Sequence, residues 1–552
     1  MGKRIISTGT QDFEKLRMAD CFYVDKTDFI REWWNGRDDV TLITRPRRFG
    51  KTLNMSMMKC FFSNEYANRG ELFEGLKVWE DPKFREIQGT WPVLFLTFAN
   101  VKQTCMELVR KTINEQIWVL YNDYSWMLRD AMFTDVDRTL FSAVNRDMDD
   151  ATAATSLLNL CKWMNRYYGK KVIIFLDEYD TPLQEAYIHG YWDELTAYIR
   201  SLFNSTFKSN PSLERAILTG ITRVSKESIF SDLNNLVVVT TSSDMYATSF
   251  GFTEEEVFEA LDQQGFGEED KQEVKTWYDG FTFGSVTDIY NPWSVTNYLN
   301  TGKLDTYWAN TSGNGLVGML LRTATPQVKT QFETLLSGGT ITVCIDEQIV
   351  FNQLARQKDA IWSMLLATGY LRIVSVDDSQ FHRFDSDLQK FYTLCLTNLE
   401  VKKMFRDMIS GWFDESEVFP DFVRAMLRGN VREMNRYMNE VALAVFSSFD
   451  SGKGPSTRAP ERFYHGFVLG LMVDRAADYV LKSNRESGYG RYDVVMEPRD
   501  PANPAVIMEF KVFDEEDEEK TLEDTAMNAL RQIEEKKYDT DLLTRGIPSE
   551  HI

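Results

Sequence analysis

Cysteine, histidine and long apolar runs are scarce or absent in this sequence, and each shortage excludes a class of protein. The 552 residues include six cysteines and four histidines. Without paired spacing they argue against a disulfide framework and against a zinc site. No apolar run reaches the roughly eighteen residues of a transmembrane helix, and the N-terminus lacks the apolar segment of a signal peptide. The sequence therefore predicts a cytoplasmic protein with reduced thiols and no membrane partner.

Positive charge is also in short supply. The chain carries 62 Lys and Arg against 83 Asp and Glu, a net charge of −21. Because phosphate contacts require Lys and Arg, any role in nucleic-acid binding must rest on local basic surface. The length predicts about two to four domains, and a hydrophobic content of 43% is enough for sizeable cores.

The most informative stretch that is present lies at residues 44–52, Thr-Arg-Pro-Arg-Arg-Phe-Gly-Lys-Thr. It follows an apolar run that reads as a buried strand and precedes a segment that reads as a helix. Strand, loop ending in Gly-Lys-Thr and helix is the context of a phosphate-binding P-loop. Lys51 is expected to reach the terminal phosphates, and the Thr52 hydroxyl is expected to hold Mg²⁺.

This loop departs from the usual P-loop because Arg45 stands where a glycine is normal. Its arginines add charge around a nucleotide or contact a neighbouring surface. The alternative is a basic loop followed by a helix, without a nucleotide. The residues assigned to nucleotide binding are Arg45, Arg48, Gly50, Lys51 and Thr52.

A second apolar strand, at 171–176, ends in Asp177 and Glu178. In P-loop NTPases the acid at this position holds Mg²⁺ and the next Glu polarises the attacking water, so we assign Asp177 to the metal and Glu178 to the water. The alternative is a buried strand that runs into an acidic loop. Its position over a hundred residues after Gly-Lys-Thr favours the NTPase.

A further strand, at 215–223, ends in polar residues, the last of them Arg223. Thr219 is predicted to sense the γ-phosphate and Arg223 to stabilise its developing charge. The alternative, equally favoured, is that Thr219 only caps a strand and Arg223 pairs with an acid. Alternating strands and helices between residues 40 and 250 predict a parallel sheet covered by helices on both faces.

The middle region, 251–450, changes character. Thr253 and Glu256 form a capping box at a helix start, and residues 320–450 look largely helical. Aromatic turn segments at 277–281 and 290–294 pack a small core or, less favoured, stack a base. Four arginines recur at every fourth residue and predict basic stripes on two short helices, either an acidic-partner or nucleic-acid face or an ordinary solvated face. They are Arg424, Arg428, Arg432 and Arg436.

Residues 451–457 have linker composition, and a new unit is expected from residue 456. A helix is predicted over 461–481, followed by strands at 491–496 and 505–512 and a helix at about 522–538. An acidic run at 514–519 is expected to be solvated.

Three side chains of these strands form a candidate nuclease site. Asp493 lies on the first strand, and Glu509 and Lys511 share one face of the second. Two carboxylates bind Mg²⁺ or Mn²⁺, while a lysine orients or deprotonates water or neutralises the transition state. The alternative is an acidic hairpin with one salt-bridging lysine. Glu461 and Glu486 are predicted extra ligands.

The combined motifs resemble a prokaryotic family of AAA-ATPase-like proteins fused to a PD-(D/E)XK nuclease domain. The resemblance implies ATP as the nucleotide, and the Arg-Pro-Arg-Arg loop is typical of it. Related chains continue into another apolar strand, whereas this sequence ends at 549–552, so we expect the nuclease sheet to lack an edge strand. The segments that carry the resemblance are 23–27, 45–52, 176–180, 219–223, 278–281, 290–294, 464–465, 490–493 and 509–511.

These observations predict an α/β protein in three parts: an AAA-ATPase-like P-loop domain at 1–250, a helical lid or connector at 251–450 and a restriction-endonuclease-like α/β domain at 456–552. The expected function is ATP hydrolysis coupled to metal-dependent cutting of nucleic acid, with DNA favoured over RNA. The alternatives are a nucleotide-switched binding protein with an inactive nuclease-like domain and a plain NTPase with an inert appendage. A homo-oligomer remains open.

Overall fold

The chain was analysed as a computed structural model. It describes residues 4–223, 229–230, 233–309, 315–322, 324–345, 360–377, 390–414, 420–446, 472, 478–487, 490–511 and 521–552. The chain divides into two compact units. The first comprises Met1–Gly313 and Thr342–Val401, and the second comprises Asn314–Ile341 and Lys402–Ile552.

The N-terminal part of the first unit alternates helices and strands. In chain order its elements are α1 (Phe13–Met18), α2 (Asp28–Gly36), β1 (Val40–Thr44), α3 (Lys51–Phe62), α4 (Lys77–Glu80), α5 (Pro82–Ile87), β2 (Val93–Thr97), α6 (Met106–Asp123), α7 (Asp135–Ala143), α8 (Asp150–Tyr168), β3 (Val172–Asp177), α9 (Thr181–His189), α10 (Trp192–Phe207), β4 (Leu213–Gly220) and β5 (Leu236–Val239).

Strands β1 to β5 form one parallel sheet in the order β2-β3-β4-β1-β5. Every residue of β1 and β3 is buried, as expected for strands whose two faces are both covered. The predicted parallel sheet is therefore confirmed. The order places β4 between β1 and β3, so the C-terminal ends of the three strands that carry the predicted nucleotide site lie side by side.

The helices begin and end at residues suited to those positions. Asp149 caps α8 by accepting a hydrogen bond from the Thr152 N–H at 2.8 Å, and Gly169 ends the helix with a φ of +66°, which glycine adopts without steric cost. The predicted capping box of Thr253 and Glu256 is also present.

The middle of the chain is mainly helical, as predicted, but also carries strands. In chain order its elements are β6 (Phe252–Thr253), α11 (Glu254–Gln264), α12 (Glu268–Tyr278), β7 (Phe281–Phe283), β8 (Val286–Tyr290), α13 (Pro292–Thr301), α14 (Gly315–Arg322), α15 (Pro326–Leu336), β9 (Ile341–Cys344), α16 (Ala360–Ala367), β10 (Leu371–Asp377) and β11 (Phe391–Leu396). The strands form two small sheets, ordered β6-β8-β7 and β10-β11-β9.

In the C-terminal part, helices precede and follow one three-stranded sheet along the chain. Its elements are α17 (Leu399–Asp414), α18 (Pro420–Leu427), α19 (Val431–Phe446), β12 (Tyr479–Ser487), β13 (Gly490–Pro498), β14 (Val506–Met508), α20 (Leu522–Lys536) and α21 (Thr540–Thr544). The strands pair antiparallel in the order β12-β13-β14.

Helices α18 and α19 share a hydrophobic core with this sheet. Phe422, Met426 and Tyr437 from the helices are buried together with Val494 and Met496 from β13. The predicted domain boundary near residue 450 stays a prediction, because the linker at 451–457 lies outside the described residues. The shared core nevertheless ties the helices at 420–446 to the sheet of the predicted nuclease.

Two sequence predictions in this region need correction. The helix expected over 461–481 does not extend to its predicted end, because residue 479 begins strand β12. This strand is largely polar in sequence, so it gives no apolar alternation. The strand expected to reach residue 512 ends at Met508. The acidic run at 514–519 lies outside the described residues, and within the described residues no helix has the length and apolar character to span a bilayer.

Candidate active sites

The P-loop connects β1 to α3 through a turn that brings Lys51 under the loop. Gly50 precedes α3 with a φ of +80°, which glycine tolerates without steric cost. The Lys51 ammonium is buried and donates to the carbonyl oxygens of Arg45 at 2.9 Å and Pro46 at 2.8 Å. Burial lowers the pKa of Lys51 to about 8, against the opposing effect of nearby carboxylates. The ammonium group of Lys51 therefore lies inside the P-loop, against the loop carbonyls.

Arg45 is an internal support of this loop. Its side chain is 0% exposed, and its guanidinium donates to the carbonyls of Thr44 at 3.0 Å and Thr240 at 2.6 Å. It also lies over the Phe283 ring at 4.6 Å. Burial lowers the pKa of Arg45 to about 9. Direct contact with a nucleotide, as predicted, would require Arg45 to leave these carbonyls, whereas its present contacts fix the path of the loop.

The outer edge of the P-loop is fastened by the aromatic segments of the middle region. The Arg47 carbonyl accepts hydrogen bonds from the Asn291 side chain at 3.3 Å and the Trp308 indole at 3.0 Å. The Phe49 ring packs edge-on against Phe281 at 4.8 Å. The segments around residues 281 and 291 therefore support the loop. They also pack the small core that the sequence predicts, in which Tyr278 and Tyr290 are buried.

Arg48 remains at the surface of the loop. It is exposed, with a φ of +64°, and its guanidinium lies 4.3 Å from the centre of the Trp293 ring. This cation–π contact orients a positive charge at the mouth of the loop. Of the two loop arginines assigned to nucleotide binding, Arg48 is the one presented to solvent.

Asp177 is the centre of a hydrogen-bonded network that joins three elements. The Thr52 hydroxyl, at the start of α3, donates to Asp177 Oδ2 at 2.6 Å. The Thr219 hydroxyl, near the end of β4, donates to Asp177 Oδ1. Asp177 is buried, and burial raises its pKa. Hydroxyl and carboxylate oxygens are the ligand types that Mg²⁺ prefers, so Thr52 and Asp177 suit the metal of a nucleotide complex.

Glu178 follows Asp177 in a strained conformation. Its φ is +52°, which is uncommon for a residue other than glycine and concentrates at functional sites. The half-buried carboxylate accepts a hydrogen bond from the Thr181 hydroxyl at 3.1 Å. The two predicted acids at the end of β3 thus have different partners. Asp177 bonds to Thr52 and Thr219, and Glu178 bonds to Thr181 at the start of α9.

Asp180 is a residue of this site that sequence reasoning missed. One of its oxygens accepts hydrogen bonds from the N–H groups of Ile221 at 3.0 Å and Thr222 at 2.8 Å. Burial raises the pKa of Asp180. The carboxylate holds the chain just beyond β4, between Thr219 and Arg223. The third acid in the run Leu-Asp-Glu-Tyr-Asp was the available signal.

Arg223 lies apart from this hydrogen-bonded network in the described contacts. It is half-buried and lines a small cavity of about 20 Å³ with residues that include Thr44 and Tyr392. Its predicted role toward the γ-phosphate stays a prediction.

A larger cavity adjoins Thr52. Its volume is about 590 Å³, within the range typical of small-molecule sites. Residues 8–12 form one side, and the face of α3 that carries Ser56 and Lys59 forms another, with Phe95 from β2. The space beside the predicted metal-binding hydroxyl is therefore polar and able to hold a ligand.

The candidate nuclease residues lie at the edge between β13 and β14. Asp493 is on β13, and its Oδ2 accepts a hydrogen bond from the Phe510 N–H at 2.9 Å. Glu509 and Lys511 follow the last residue of β14 and are half-buried and exposed, respectively. The predicted strand therefore ends before these residues, and a shared side for their two side chains stays a prediction. Phe510 packs against the hydrophobic core, as predicted, and its N–H brings residues 509–511 to Asp493.

Helix α20 and the turn after it supply two residues that the sequence analysis did not assign. The Gln532 amide donates to Glu509 Oε1 and to the Tyr538 hydroxyl, the latter at 3.2 Å. Tyr538 is buried, and burial raises its pKa. Gln532 therefore orients the Glu509 carboxylate, and Asp493 with Glu509 provides the oxygen ligands that a divalent cation requires.

The roles of the two predicted additional ligands stay predictions. Glu461, together with the Tyr464-His465 pair of the resemblance, lies outside the described residues. Glu486 lies on β12, paired with Arg491 in the backbone register.

Comparison with known proteins confirms the two-part resemblance. Residues 7–230 match the family described as Predicted AAA-ATPase, of the AAA-ATPase-like group. Residues 459–551 match the PD-(D/E)XK nuclease superfamily. Together with the parallel sheet these matches confirm the fold class: an N-terminal P-loop NTPase, a mainly helical middle and a C-terminal restriction-endonuclease-like domain.

One curated relative and one solved structure are also similar. "Uncharacterized protein in vnfD 5'region" of Azotobacter chroococcum mcd 1 is 27% identical over 422 residues, covering 74% of this chain and 70% of the relative. The Aeropyrum pernix ORC2 protein, in ADPNP–ADP complexes, is 8% identical, with 69% of this chain and 92% of that chain covered and a TM-score of 0.22. That TM-score is too low to support a structural argument.

Proposed function

We propose that this protein is an ATPase coupled to a Mg²⁺- or Mn²⁺-dependent nuclease that cuts DNA or RNA phosphodiesters. The observation that carries the proposal is the presence of two separate oxygen-ligand sets in one chain. The first is the Thr52–Asp177 pair behind the P-loop, and the second is Asp493 with Glu509. A cytoplasmic location and DNA as the preferred substrate are part of the proposal.

At the nucleotide site, Lys51 exchanges its two loop carbonyls for phosphate oxygens when ATP binds. Thr52 and Asp177 hold the Mg²⁺ that accompanies the nucleotide and offsets phosphate charge. Glu178, turned away from Asp177 by its strained backbone, orients the attacking water. The cavity beside Thr52 gives the nucleotide room beyond its phosphates.

Three further residues act around this nucleotide. Thr219 supports the Asp177 carboxylate through its hydrogen bond. Arg48 offers an exposed guanidinium to the phosphates, and Arg223 approaches the γ-phosphate when the nucleotide is bound. Arg45 contributes by shaping the loop.

At the nuclease site, Asp493 and Glu509 hold a divalent cation that polarises the phosphodiester and lowers the pKa of a bound water. Lys511 orients or deprotonates the water, or neutralises charge in the transition state. Gln532 keeps the Glu509 carboxylate directed at the cation.

A second candidate function is a nucleotide-switched binding protein with an inactive nuclease-like domain. Lys511 favours it, because this residue lies beyond the end of β14 and is exposed. In that case ATP binding changes conformation and the C-terminal domain binds nucleic acid without cutting it.

The test is cleavage of plasmid DNA, single-stranded DNA and RNA with Mn²⁺, with and without ATP, by the wild type and a Lys511→Ala variant. Lys536→Ala, which alters an exposed lysine on α20, is the control. Cutting that is lost only in Lys511→Ala supports the nuclease, and its dependence on ATP shows the coupling. A wild type that hydrolyses ATP but cuts none of the three substrates supports the binding protein instead.

A further inference from the structure

Helices α18 and α19 form a tight hairpin. Residues 428–430 join them, and Gly429 adopts a φ of +64°, which favours glycine. The Asn430 N–H donates to the Ala425 carbonyl at 2.8 Å and closes the turn. Short, closed connections of this kind hold two helices in a defined relation.

The hairpin has one apolar side and one basic side. Its apolar side chains, among them Phe422 and Tyr437, are buried in the core shared with the nuclease sheet. The four arginines are all exposed. Residues four apart in a helix lie on the same side, about 5–6 Å from each other, so α19 presents Arg432 and Arg436 together, while Arg424 on α18 is followed by Arg428 in the connecting turn. We call this set the arginine face: Arg424, Arg428, Arg432 and Arg436.

The charge of the arginine face is opposite to that of the chain, whose net charge is −21. The acids within 420–438 are Asp421 and Glu433. Arg436 stacks on Tyr437 at 4.9 Å and donates to its hydroxyl at 3.1 Å, which limits the motion of this guanidinium. Arginine presents a planar set of donors that matches phosphate oxygens in pairs. A polyanion is therefore the partner that this surface fits.

The hairpin and the candidate nuclease site belong to opposite faces of the same sheet. Val494 of β13 points into the core that the hairpin covers, whereas Asp493 shares the face of Val495, which packs with Tyr538 after α20. A nucleic acid that contacts both must therefore pass around the edge of the sheet. We propose that the arginine face binds the phosphate backbone of a nucleic acid and holds it for cutting at Asp493 and Glu509. This inference rests on the proposed nuclease function and extends it by assigning where the substrate is bound.

The experiment measures binding of a labelled DNA duplex, a single strand and an RNA by the full chain over a range of salt concentrations. EDTA is present so that metal-dependent cutting does not occur. The test variant changes all four arginines of the arginine face to Gln. Because four phosphate contacts are lost, the slope of log affinity against log salt is expected to become shallower by about 3 to 4 for duplex DNA. Near physiological salt we expect at least a tenfold weaker affinity.

Two sets of control variants separate local charge from other effects. A second quadruple variant changes exposed lysines of the first unit to Gln and removes the same total charge; we expect wild-type binding from it. Its positions are Lys83, Lys102, Lys208 and Lys303. Replacing the arginine face by four lysines keeps its charge and is expected to retain most of the salt dependence. A double variant, Arg428→Gln with Arg432→Gln, leaves the Tyr437 contact intact and is used if the quadruple variant unfolds.

Binding by the quadruple Gln variant of the arginine face that equals the wild type, or a loss as large in the variant of Lys83, Lys102, Lys208 and Lys303, overturns the proposal. A wild type that binds polyglutamate but none of the nucleic acids also overturns it, in favour of an acidic polypeptide partner. If the wild type binds through the arginine face but never cuts with Mn²⁺, the binding surface stands and the nuclease function fails. If it cuts normally with the arginine face neutralised, the nuclease stands and the surface fails.

Discussion

Two threonine hydroxyls determine the orientation of Asp177. Thr52 and Thr219 each donate to a different oxygen of this buried carboxylate. With one oxygen bonded to Thr52 and the other to Thr219 of β4, the carboxylate is held in one orientation. In the proposed function Asp177 is a metal ligand. Such bonds around a metal ligand commonly control metal affinity or activity by 10- to 100-fold.

Thr219→Val tests this role. The variant keeps the shape of the side chain and removes the donor, so a buried charged acceptor loses a hydrogen bond worth about 1.5–3 kcal/mol. We expect ATP turnover to fall about 10- to 100-fold while nucleotide affinity changes little. Thr206→Val, at a buried threonine in α10, should leave turnover unchanged. Equal turnover in wild type and Thr219→Val would rule out the role.

Burial also acts strongly on the carboxylate of Glu400. Glu400 is 0% exposed and accepts hydrogen bonds from the Ser294 hydroxyl at 2.8 Å and the Trp308 N–H at 2.6 Å. Burial raises the pKa of Glu400 from 4.5 to about 7. Since the Trp308 indole donates to the P-loop at Arg47, Glu400 supports the residue that holds the loop.

The raised pKa predicts a pH-dependent stability. Between 4.5 and about 7 the folded protein keeps a proton that the unfolded chain has released, so the free energy of unfolding falls as pH rises through this range. From pH of about 5.5 to 7 the loss is about 2 kcal/mol, and it levels off above. Denaturant titrations of the wild type and Glu400→Gln at several pH values measure it.

As pH rises through this range, the free energy of unfolding should fall more in the wild type than in Glu400→Gln, because Gln does not titrate. Glu255→Gln, at an exposed acid of the same unit, serves as the control and should follow the wild type. A wild type and a Glu400→Gln variant with parallel pH profiles would show that Glu400 does not take up the proton.

At the scale of elements, helix α20 contributes Gln532 to the proposed nuclease site. A Gln532→Ala change removes the donor that orients Glu509. We therefore expect Mn²⁺ affinity to fall about 10- to 100-fold, measured by calorimetric titration. Met527→Ala, at a position of the same helix that is 54% exposed, should bind Mn²⁺ like the wild type. Unchanged affinity in Gln532→Ala would show that Glu509 needs no help from α20.

The elements that sequence reasoning found are those with strong local patterns. Strands β1 and β3 are continuous apolar runs, and the capping box of Thr253 has a defined spacing. Strands β12, β6 and β7 were missed because they are polar or only two or three residues long. Their pairing depends on partners distant in sequence, which a local pattern does not contain.

The candidate sites show the same division. The residue types that carry the chemistry, such as Lys51, Asp177 and Asp493, follow from short motifs. Their supports do not, since Asp180 bonds to a chain segment 41 residues away and Gln532 to one 23 residues away. The inward burial of Arg45 was equally hard to predict, because one of its carbonyl partners, that of Thr240, lies 195 residues away.

At the scale of the whole molecule, the helical hairpin at 420–446 and the nuclease sheet depend on one core. Phe422 is 2% exposed and belongs to the cluster that contains Val494 and Met496. A division of the chain at residue 450 would split this cluster and expose its apolar side chains to water. The hairpin is therefore a structural part of the nuclease unit and not a separable connector.

Phe422→Ala provides the test. Truncating a buried phenylalanine typically costs about 3–5 kcal/mol, so we expect the unfolding transition of the second unit to shift to lower denaturant and nucleic-acid cutting to weaken with it. ATP binding by the first unit should be unaffected. Val431→Ala, on the same hairpin but 71% exposed, should behave like the wild type. If Phe422→Ala lowered ATP binding and left cutting intact, the hairpin would support the nucleotide-binding unit. The nuclease sheet would then not depend on the hairpin for its stability.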